Sequence, residues 1–379
     1  MGKSIGLIIW AYSDCRSLMG IFREIRKQLD SPVVIVINES NKVVGLRQKT
    51  GFSHEEFNDV AVVCIENDFD RGIAVLDEYK GFNHLFTVYQ KEPLFRKLIS
   101  IAHSRHERVG IISEAPCIMS RGLGGVIKRN LYLPHLVPYI VRNVVHCSDF
   151  IINLSGDSTK ELQMIGWAPD KIIPFGYFPP PLIGSCCKKR KNGESFHILV
   201  SGIMSWHRAP DVAIKALGML KAWGLTYSAT FTQNGPLLGT LRTFAKRYDL
   251  PIRFSGLLPM AELVSAYENC SLYLATGRSE PWGMRLNDAL QCGAPLAVSR
   301  GMGGVQMVDR YGCGFSFNVD DYVDLANKLA RVIRDTQLYN DLSEKAYAAA
   351  QQISPSVKVV ELISAVNFRF PGWFPTRKI

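Results

Sequence analysis

No apolar run in the sequence approaches the ~20 residues that cross a bilayer; the longest, such as residues 5–11, have the length of a strand. No basic stretch followed by an apolar core and a cleavage-like site opens the chain, so no secretory leader is expected. Cys-x-x-Cys is absent as well. The nine cysteines are scattered and odd in number, which speaks against a disulfide framework and against a zinc site. Cys186-Cys187 sits in a stretch rich in Pro, Gly and Lys, and reads as an exposed pair rather than a redox device. A reducing cytoplasm is the expected compartment. Charged residues reach only 21% against 47% hydrophobic, which excludes a disordered chain, a collagen-like repeat and a pure coiled coil.

What remains is a basic chain of 379 residues with a formal net charge of +10, long enough for two or three domains. Such a balance favours anionic partners. The charge is uneven: residues 55–90 hold two basic and eight acidic side chains, whereas residues 91–143 hold nine basic and three acidic. The cations form a block, with no stripe along the chain, so a nucleic-acid partner is not expected. Lys188-Lys189-Arg190-Lys191 is the one tight cationic run and reads as a solvated linker.

The hydrophobic pattern repeats one rhythm twice. Apolar runs of strand length stand at residues 5–10, 33–37, 60–65, 85–89, 109–112 and 150–154. Between the first two, Leu18, Ile21, Phe22, Ile25 and Leu29 have helical spacing. Three prolines within residues 178–181 break the rhythm, and residues 181–195 form a linker. It resumes with strands at 198–201, 227–232, 252–254, 272–275 and 295–299, separated by helical segments. The expected fold class is α/β, two Rossmann-like doubly wound domains over residues 1–180 and 196–354. Ligands of such sheets bind at the carboxyl ends of the strands, where the strand order reverses.

Chemistry concentrates after the strand at 272–275, in Gly277-Arg278-Ser279-Glu280-Pro281-Trp282-Gly283-Met284-Arg285-Leu286-Asn287-Asp288. Pro281 and Gly283 place Glu280 on a loop and Asp288 in the helix that follows. Two carboxylates so spaced can bracket a ligand diphosphate held at the helix start. On these two residues alone, Glu280 as a helix cap and Asp288 as a solvated helix residue stay equally open.

The surroundings shift that balance. From about residue 196 to 352 the chain resembles the retaining glycosyltransferases of GT-B architecture, the large family four, whose signature is Glu-x7-Glu and here reads Glu-x7-Asp. Asn234-Gly235-Pro236 resembles the family's Gly-Asp-Gly-Pro turn, Phe254-Ser255-Gly256 its Phe-Leu-Gly strand end, and Gly303-Gly304 its Gly-Gly loop. The resemblance implies that Glu280 contacts the donor sugar and Asp288 the ribose, with the backbone of residues 282–286 (Trp282, Gly283, Met284, Arg285, Leu286) facing sugar and diphosphate. The segment from Ser201 to Ala209 resembles the family's Gly-Arg-x4-Lys-Gly element: Gly202 keeps the glycine, Ile203 replaces the Arg, and Arg208 stands for the Lys. Arginine preserves the charge and can grip phosphate bidentately. His207 and Arg285 are further candidate donors outside the motif, and Asn234 joins the donor set.

The first half resembles the family only in outline. Ser13 and Asp14 occupy the place of its glycine-rich first loop, Tyr89 and Gln90 end one strand, and Glu114 ends the next. These five are the expected acceptor side, with Glu114 joining Glu280 and Arg208 as the catalytic candidates, while Glu114 as a loop carboxylate capping the following segment stays equally open. His103, His106 and His135 read as surface or helix residues. Residues 122–142 mix apolar and aromatic groups with cations, which suits either a packed helix or an anionic lipid surface. The resemblance further implies that the last helix, about residues 357–366, crosses back onto the first domain.

The expected activity is transfer of a sugar from a nucleotide-diphospho-sugar to an acceptor hydroxyl of a glycan or lipid-linked acceptor, in cell-surface polysaccharide or glycolipid assembly. The protein is expected in the cytoplasm, peripherally on the inner membrane face. No metal-ligand cluster is visible and no cofactor is expected, the nucleotide-sugar being a substrate. Two other readings stay open: a sugar-nucleotide enzyme such as an epimerase, and a non-catalytic nucleotide-sugar-binding scaffold.

Overall fold

In a computed structural model, the structure describes residues 6–12, 16–38, 61–87, 93–116, 126–127, 130, 133–157, 159–182, 187–191 and 193–376. Ser13, Asp14, Tyr89, Gln90, Lys128 and Arg129 lie outside the described residues. The chain divides into two units, one of Met1–Pro180 with Pro355–Ile379 and one of Pro181–Ser354.

The first unit is built on seven strands, β1 (Leu7–Ala11), β2 (Val33–Ile37), β3 (Ala61–Cys64), β4 (Asn83–Thr87), β5 (Val109–Ser113), β6 (Phe150–Asn153) and β7 (Ile172–Pro174). They pair in parallel in the order β3-β2-β1-β4-β5-β6-β7, with Leu7 opposite Val33 on one side and Asn83 on the other. Parallel strands covered on both faces read as unbroken apolar runs, which is why β1, β2 and β5 stand out in the sequence. Helices α1 (Arg16–Gln28), α2 (Phe69–Glu78), α3 (Pro93–Ser104), α4 (Leu133–Ile140) and α5 (Lys160–Met164) lie between them. In α1 the spaced residues Leu18, Ile21, Phe22 and Ile25 are all buried. Helix α4 contains Pro138 and runs into a π-helical turn over Val141–Val145, whose Val144 and Val145 are core.

The C-terminal helix Pro355–Arg369 belongs to this unit and packs on α1. Beyond it Trp373 is fully buried, its ring edge-on to Phe150 at 4.7 Å. Its indole N–H donates to Asp149 (3.0 Å), and its carbonyl accepts from the Asn83 amide (2.6 Å). Gly110 faces both rings: a Cβ there would come within 2.8 Å of Trp373.

Across β1 and β4 a polar chain is sealed inside. Trp10 Nε1–H donates to His84 Nδ1 (3.2 Å), which leaves Nε2 as the protonated nitrogen, 3.0 Å from the Glu107 carboxylate. Gly81 N–H donates to the same carboxylate at 3.1 Å. Burial pushes the Glu107 carboxyl up, but the hydrogen bonds from His84 and Gly81 and the nearby Arg105 outweigh it and hold it below its ordinary value.

The second unit carries β8 (His197–Ser201), β9 (Ser228–Thr232), β10 (Ile252–Gly256), β11 (Leu272–Ala275), β12 (Leu296–Ser299) and β13 (Gly314–Phe317). Their order, β10-β9-β8-β11-β12-β13, places the reversal between β8 and β11. Helices α6 (Pro210–Ala222), α7 (Leu238–Arg247), α8 (Met260–Asn269), α9 (Arg285–Gln291), α10 (Val305–Tyr311), α11 (Tyr322–Arg334) and α12 (Thr336–Gln352) complete it. Leu217 and Leu220 of α6 and Leu325 and Leu329 of α11 pack on Ile198, Phe231, Leu272 and Leu274 of the sheet. Both units are therefore Rossmann-like and doubly wound.

The lysine run is a correction to the sequence reading. Lys188 Nζ donates to the carbonyls of Tyr267 (2.6 Å) and Cys270 (2.8 Å) at the end of α8, where a cation complements the helix dipole. Arg190 lies over the Phe196 ring and donates to the Ile333 carbonyl at 2.8 Å. This segment is bound to the second unit.

Glu107 predicts an acid-sensitive core. A depressed carboxyl contributes stability above its ordinary value of 4.5 and loses it as pH falls through the lowered one. Glu107→Gln keeps an acceptor for His84 and removes that titration. Thermal melts from about pH 6 to about pH 3 should therefore fall less steeply in the variant; parallel curves would refute the assignment.

Candidate functional site

At the carboxyl end of β8 the chain turns through Gly202, whose φ of +155° suits a residue without Cβ, into a short 3-10 turn over Trp206–Arg208. Ala209 then adopts a left-handed conformation (φ 51°, ψ 45°) before Pro210 opens α6. A non-glycine residue there is strained by about 1–2 kcal/mol, and its surroundings hold it. Arg278 Nη1 donates to the Trp206 carbonyl (2.6 Å), and Arg278 N–H donates to that of His207 (2.8 Å). The Thr276 hydroxyl is shared between the carbonyls of Arg208 (3.0 Å) and Ala209 (2.8 Å). Four successive carbonyls are thus captured by the segment that follows β11.

A second staple joins this loop to the turn after β9. Met204 N–H donates to the Asn234 carbonyl (3.1 Å), and Leu237 N–H to the Met204 carbonyl (2.9 Å). The two backbones approach so closely that a Cβ on Gly235 would stand 2.6 Å from Met204 N and O. Asn234 itself is exposed.

The loop carrying Glu280 is laced to the one after β12. Glu280 N–H donates to the Gly301 carbonyl, Gly303 N–H to that of Glu280, and Gly304 N–H to that of Trp282, at 2.9–3.0 Å. A Cβ on Gly301 would meet the Arg278 carbonyl at 2.5 Å, and one on Gly304 the Trp282 carbonyl at 2.8 Å. Held in this way, the Glu280 carboxylate forms an ion pair with the Arg208 guanidinium. Glu280 is not the helix cap: α9 is capped at Met284, without a side-chain bond.

Beneath the pair lies a pocket lined by Ser201, Gly202, Arg208, Tyr273, Gly283 and Arg285, among others. Ser201 collects donors: Thr232 Oγ1 and Arg285 Nη1 reach its hydroxyl, and Tyr273 Oη its carbonyl at 2.9 Å. Burial pushes the Tyr273 phenol far up, so it stays a neutral donor. The Tyr267 phenol, raised by the same cause, lies beside Arg285. Asp288 is 7% exposed and likewise near Arg285, so the solvated alternative does not hold.

The expected donor set is thus brought together at one strand edge, with distinctions inside it. His207 is exposed and Met284 half-buried. Trp282 and Leu286 are core residues, at 2% and 0% exposure. The Trp282 indole donates to Asn287 (2.8 Å), its carbonyl is taken by Gly304, and Leu286 N–H closes on Gly283. The backbone of 282–286 therefore does not face a ligand as a whole. Ile203, where the resemblance has a cation, is 54% exposed.

In the first unit Glu114 follows β5 and accepts from the Tyr177 hydroxyl at 2.9 Å. The next residue, Ala115, donates its N–H to Ser155 Oγ after β6 (2.8 Å). The carboxyl ends of β5 and β6 thus meet around this carboxylate.

Sequence reading quoted Ser201 and Arg278 within its motifs without giving them a role, and passed over Tyr273, Thr276 and Gly301. Thr276 and Arg278 stand in a loop at the carboxyl end of a strand, a location enriched in working residues, and that was the available signal.

The sequence profile of glycosyl transferases group 1 matches residues 187–349. The chain is 22% identical over 324 residues to an uncharacterized glycosyltransferase of Methanocaldococcus jannaschii, covering 80% of this chain and 84% of that one. It is 26% identical over 160 residues to a GDP-mannose-dependent phosphatidylinositol dimannoside mannosyltransferase of Mycobacterium tuberculosis, 40% of this chain and 41% of that one. Among solved structures it is similar to Anabaena HepE in complex with UDP, with a TM-score of 0.68 at 14% identity over 96% of this chain and 100% of that one. That likeness is one of fold.

The Met204–Gly235 staple makes a paired prediction. Gly235→Ala forces the two backbones apart and should cost about 1–3 kcal/mol, as overpacking does. Gly239→Ala, in α7 with nothing within 4 Å of the added methyl, should stabilise by about 0.5–1 kcal/mol. Denaturant titration of both reads the contrast; equal effects would refute it.

Proposed function

We propose that this chain, whose residues 187–349 match the glycosyl transferases group 1 profile and whose fold is like that of HepE, is a GT-B glycosyltransferase that transfers a sugar, with retention, from a nucleotide-diphospho-sugar to an acceptor hydroxyl. The observation that supports this most directly is the Arg208–Glu280 ion pair, set at the carboxyl edge where the strand order reverses between β8 and β11. A cation beside a carboxylate suits the two ends of such a donor: guanidinium for the diphosphate, carboxylate for the sugar hydroxyls. Asp288 takes the ribose hydroxyls, with one methylene less reach than Glu. Gly202, His207, Asn234 and Met284 complete the donor surface, and Arg285 adds positive charge beneath it.

Chemically, the bond from the anomeric carbon to the β-phosphate oxygen breaks while the acceptor oxygen bonds the same face of that carbon. The acceptor proton passes to the departing phosphate oxygen, so no protein nucleophile is required. Arg208 stabilises the charge growing on the diphosphate, and the stapled loops hold it ready before the donor arrives. Glu114, oriented by Tyr177, serves the acceptor side.

The relatives suggest the donor's base: HepE is in complex with UDP, and the mycobacterial enzyme is GDP-mannose-dependent. A thermal-shift screen with UDP-, GDP-, ADP- and dTDP-sugars tests this, because a ligand bound to the native state raises its stability. No shift with any of the four would refute the donor reading.

Glu280→Gln separates the two halves of the pair. Turnover should fall about a hundredfold, ~2.7 kcal/mol of transition-state stabilisation. Affinity for the nucleoside diphosphate alone should not fall, because Arg208 loses a competing anion. Undiminished turnover would remove Glu280 from the reaction.

We further propose a glycan or lipid-linked acceptor at an anionic membrane face. No helix among the described residues is long and apolar enough to cross a membrane. Val126, Ile127 and Tyr139 are exposed within the basic block. Binding to anionic liposomes should weaken as salt shortens the Debye length below about 8 Å. Lys128→Glu with Arg129→Glu should reduce it and spare nucleotide binding; vesicles ignored at low salt would point to a soluble acceptor.

A further inference from the structure

The segment after β11 carries, besides Glu280, a cation that no motif accounts for. Arg278 is 9% exposed, and all three of its guanidine nitrogens are engaged. Nε donates to Asp320 Oδ1 (2.6 Å), Nη1 to the Trp206 carbonyl (2.6 Å) and Asp211 Oδ1 (3.0 Å), and Nη2 to Asp211 Oδ2 (2.6 Å). The guanidinium also lies over the Trp206 ring, 4.8 Å from its centroid.

We infer that Arg278 is a positioning residue, which fixes the place of the Arg208 guanidinium and through it the affinity of the site for a nucleoside diphosphate. The inference rests on the donor reading above. Asp211 lies in the first turn of α6 and Asp320 just before α11. One side chain therefore ties two helix starts to the turn that carries Arg208. The Arg278 main chain holds the His207 carbonyl and Thr276 the carbonyls of Arg208 and Ala209. Arg208 thus has its backbone bonded on both sides, in a turn whose last residue is strained. Remove the fork and the left-handed Ala209 is free to relax, carrying Arg208 away from Glu280.

Arginine is needed for this. Its planar fork meets both oxygens of Asp211 while Nε faces a second carboxylate; a lysine ammonium is one point of charge and cannot span them. A ligand cation displaced by about 1 Å can cost two orders of magnitude in rate, so a residue that never meets substrate can govern turnover.

The test is a double-mutant cycle on the full chain, read by calorimetric titration with UDP and GDP. Arg278→Lys should weaken binding of the preferred diphosphate about tenfold. In an Arg208→Ala background the same substitution should change affinity little, because the two act in series. With the full donor, kcat should fall along with the rise in KM. Equal weakening in both backgrounds, or unchanged affinity with only a lower Tm, overturns the inference. Should Arg278→Lys fail to fold, Asp320→Gly removes one arm and suits a position at φ 67°; the expected loss is about threefold, again only where Arg208 is present. Arg208→Ala alone leaving affinity intact would refute the donor reading itself, a failure visible before Arg278 is touched.

Discussion

The site rests on main-chain contact between loops that are far apart in sequence. The loops after β8, β9, β11 and β12 touch backbone to backbone, through Met204–Asn234, Arg278–His207 and Glu280–Gly301. At such distances a single Cβ is an obstacle, and Gly235, Gly301 and Gly304 stand at the closest approaches. Backbone bonds of this kind fix position within tenths of an ångström without spending a side chain. The side chains that remain, Arg208 and Glu280, pair with each other at the strand edge.

Much of the scaffold was legible in the sequence because buried parallel strands are continuous apolar runs. Two strands were not. Gly314–Phe317 is four residues with a glycine and a serine, and Ile172–Pro174 ends in proline; both lie at sheet edges, where one flank needs no partner. The lysine run misled for a different reason. Charge density suggested solvent, whereas Lys188 finds its partners at the carbonyl end of a helix some eighty residues on, a pairing that no local pattern encodes.

The same limit applies to the site. Glu280 and Arg208 stood out because their spacing matches a family motif. Arg278 and Thr276 grip carbonyls about seventy residues away, a pairing that no local spacing encodes. Ile203 removes a cation from the expected set, and the guanidinium that the structure places at the pocket beside Arg208 is that of Arg285, which enters from α9 and bonds Ser201.

The anchoring of Trp373 reaches beyond packing. The first unit opens the chain and is closed by residues that follow the whole of the second. On a ribosome, the residues of the second unit are complete while the first still lacks the helix that covers α1 and the indole that seals β5 and β6. Domains commonly mature in the order they are made; here the earlier one must wait for the later. A chain stopped at Ser354 would hold one finished body and one open sheet, a difference that limited proteolysis reads directly, and the open sheet is where a chaperone would be expected to bind during synthesis.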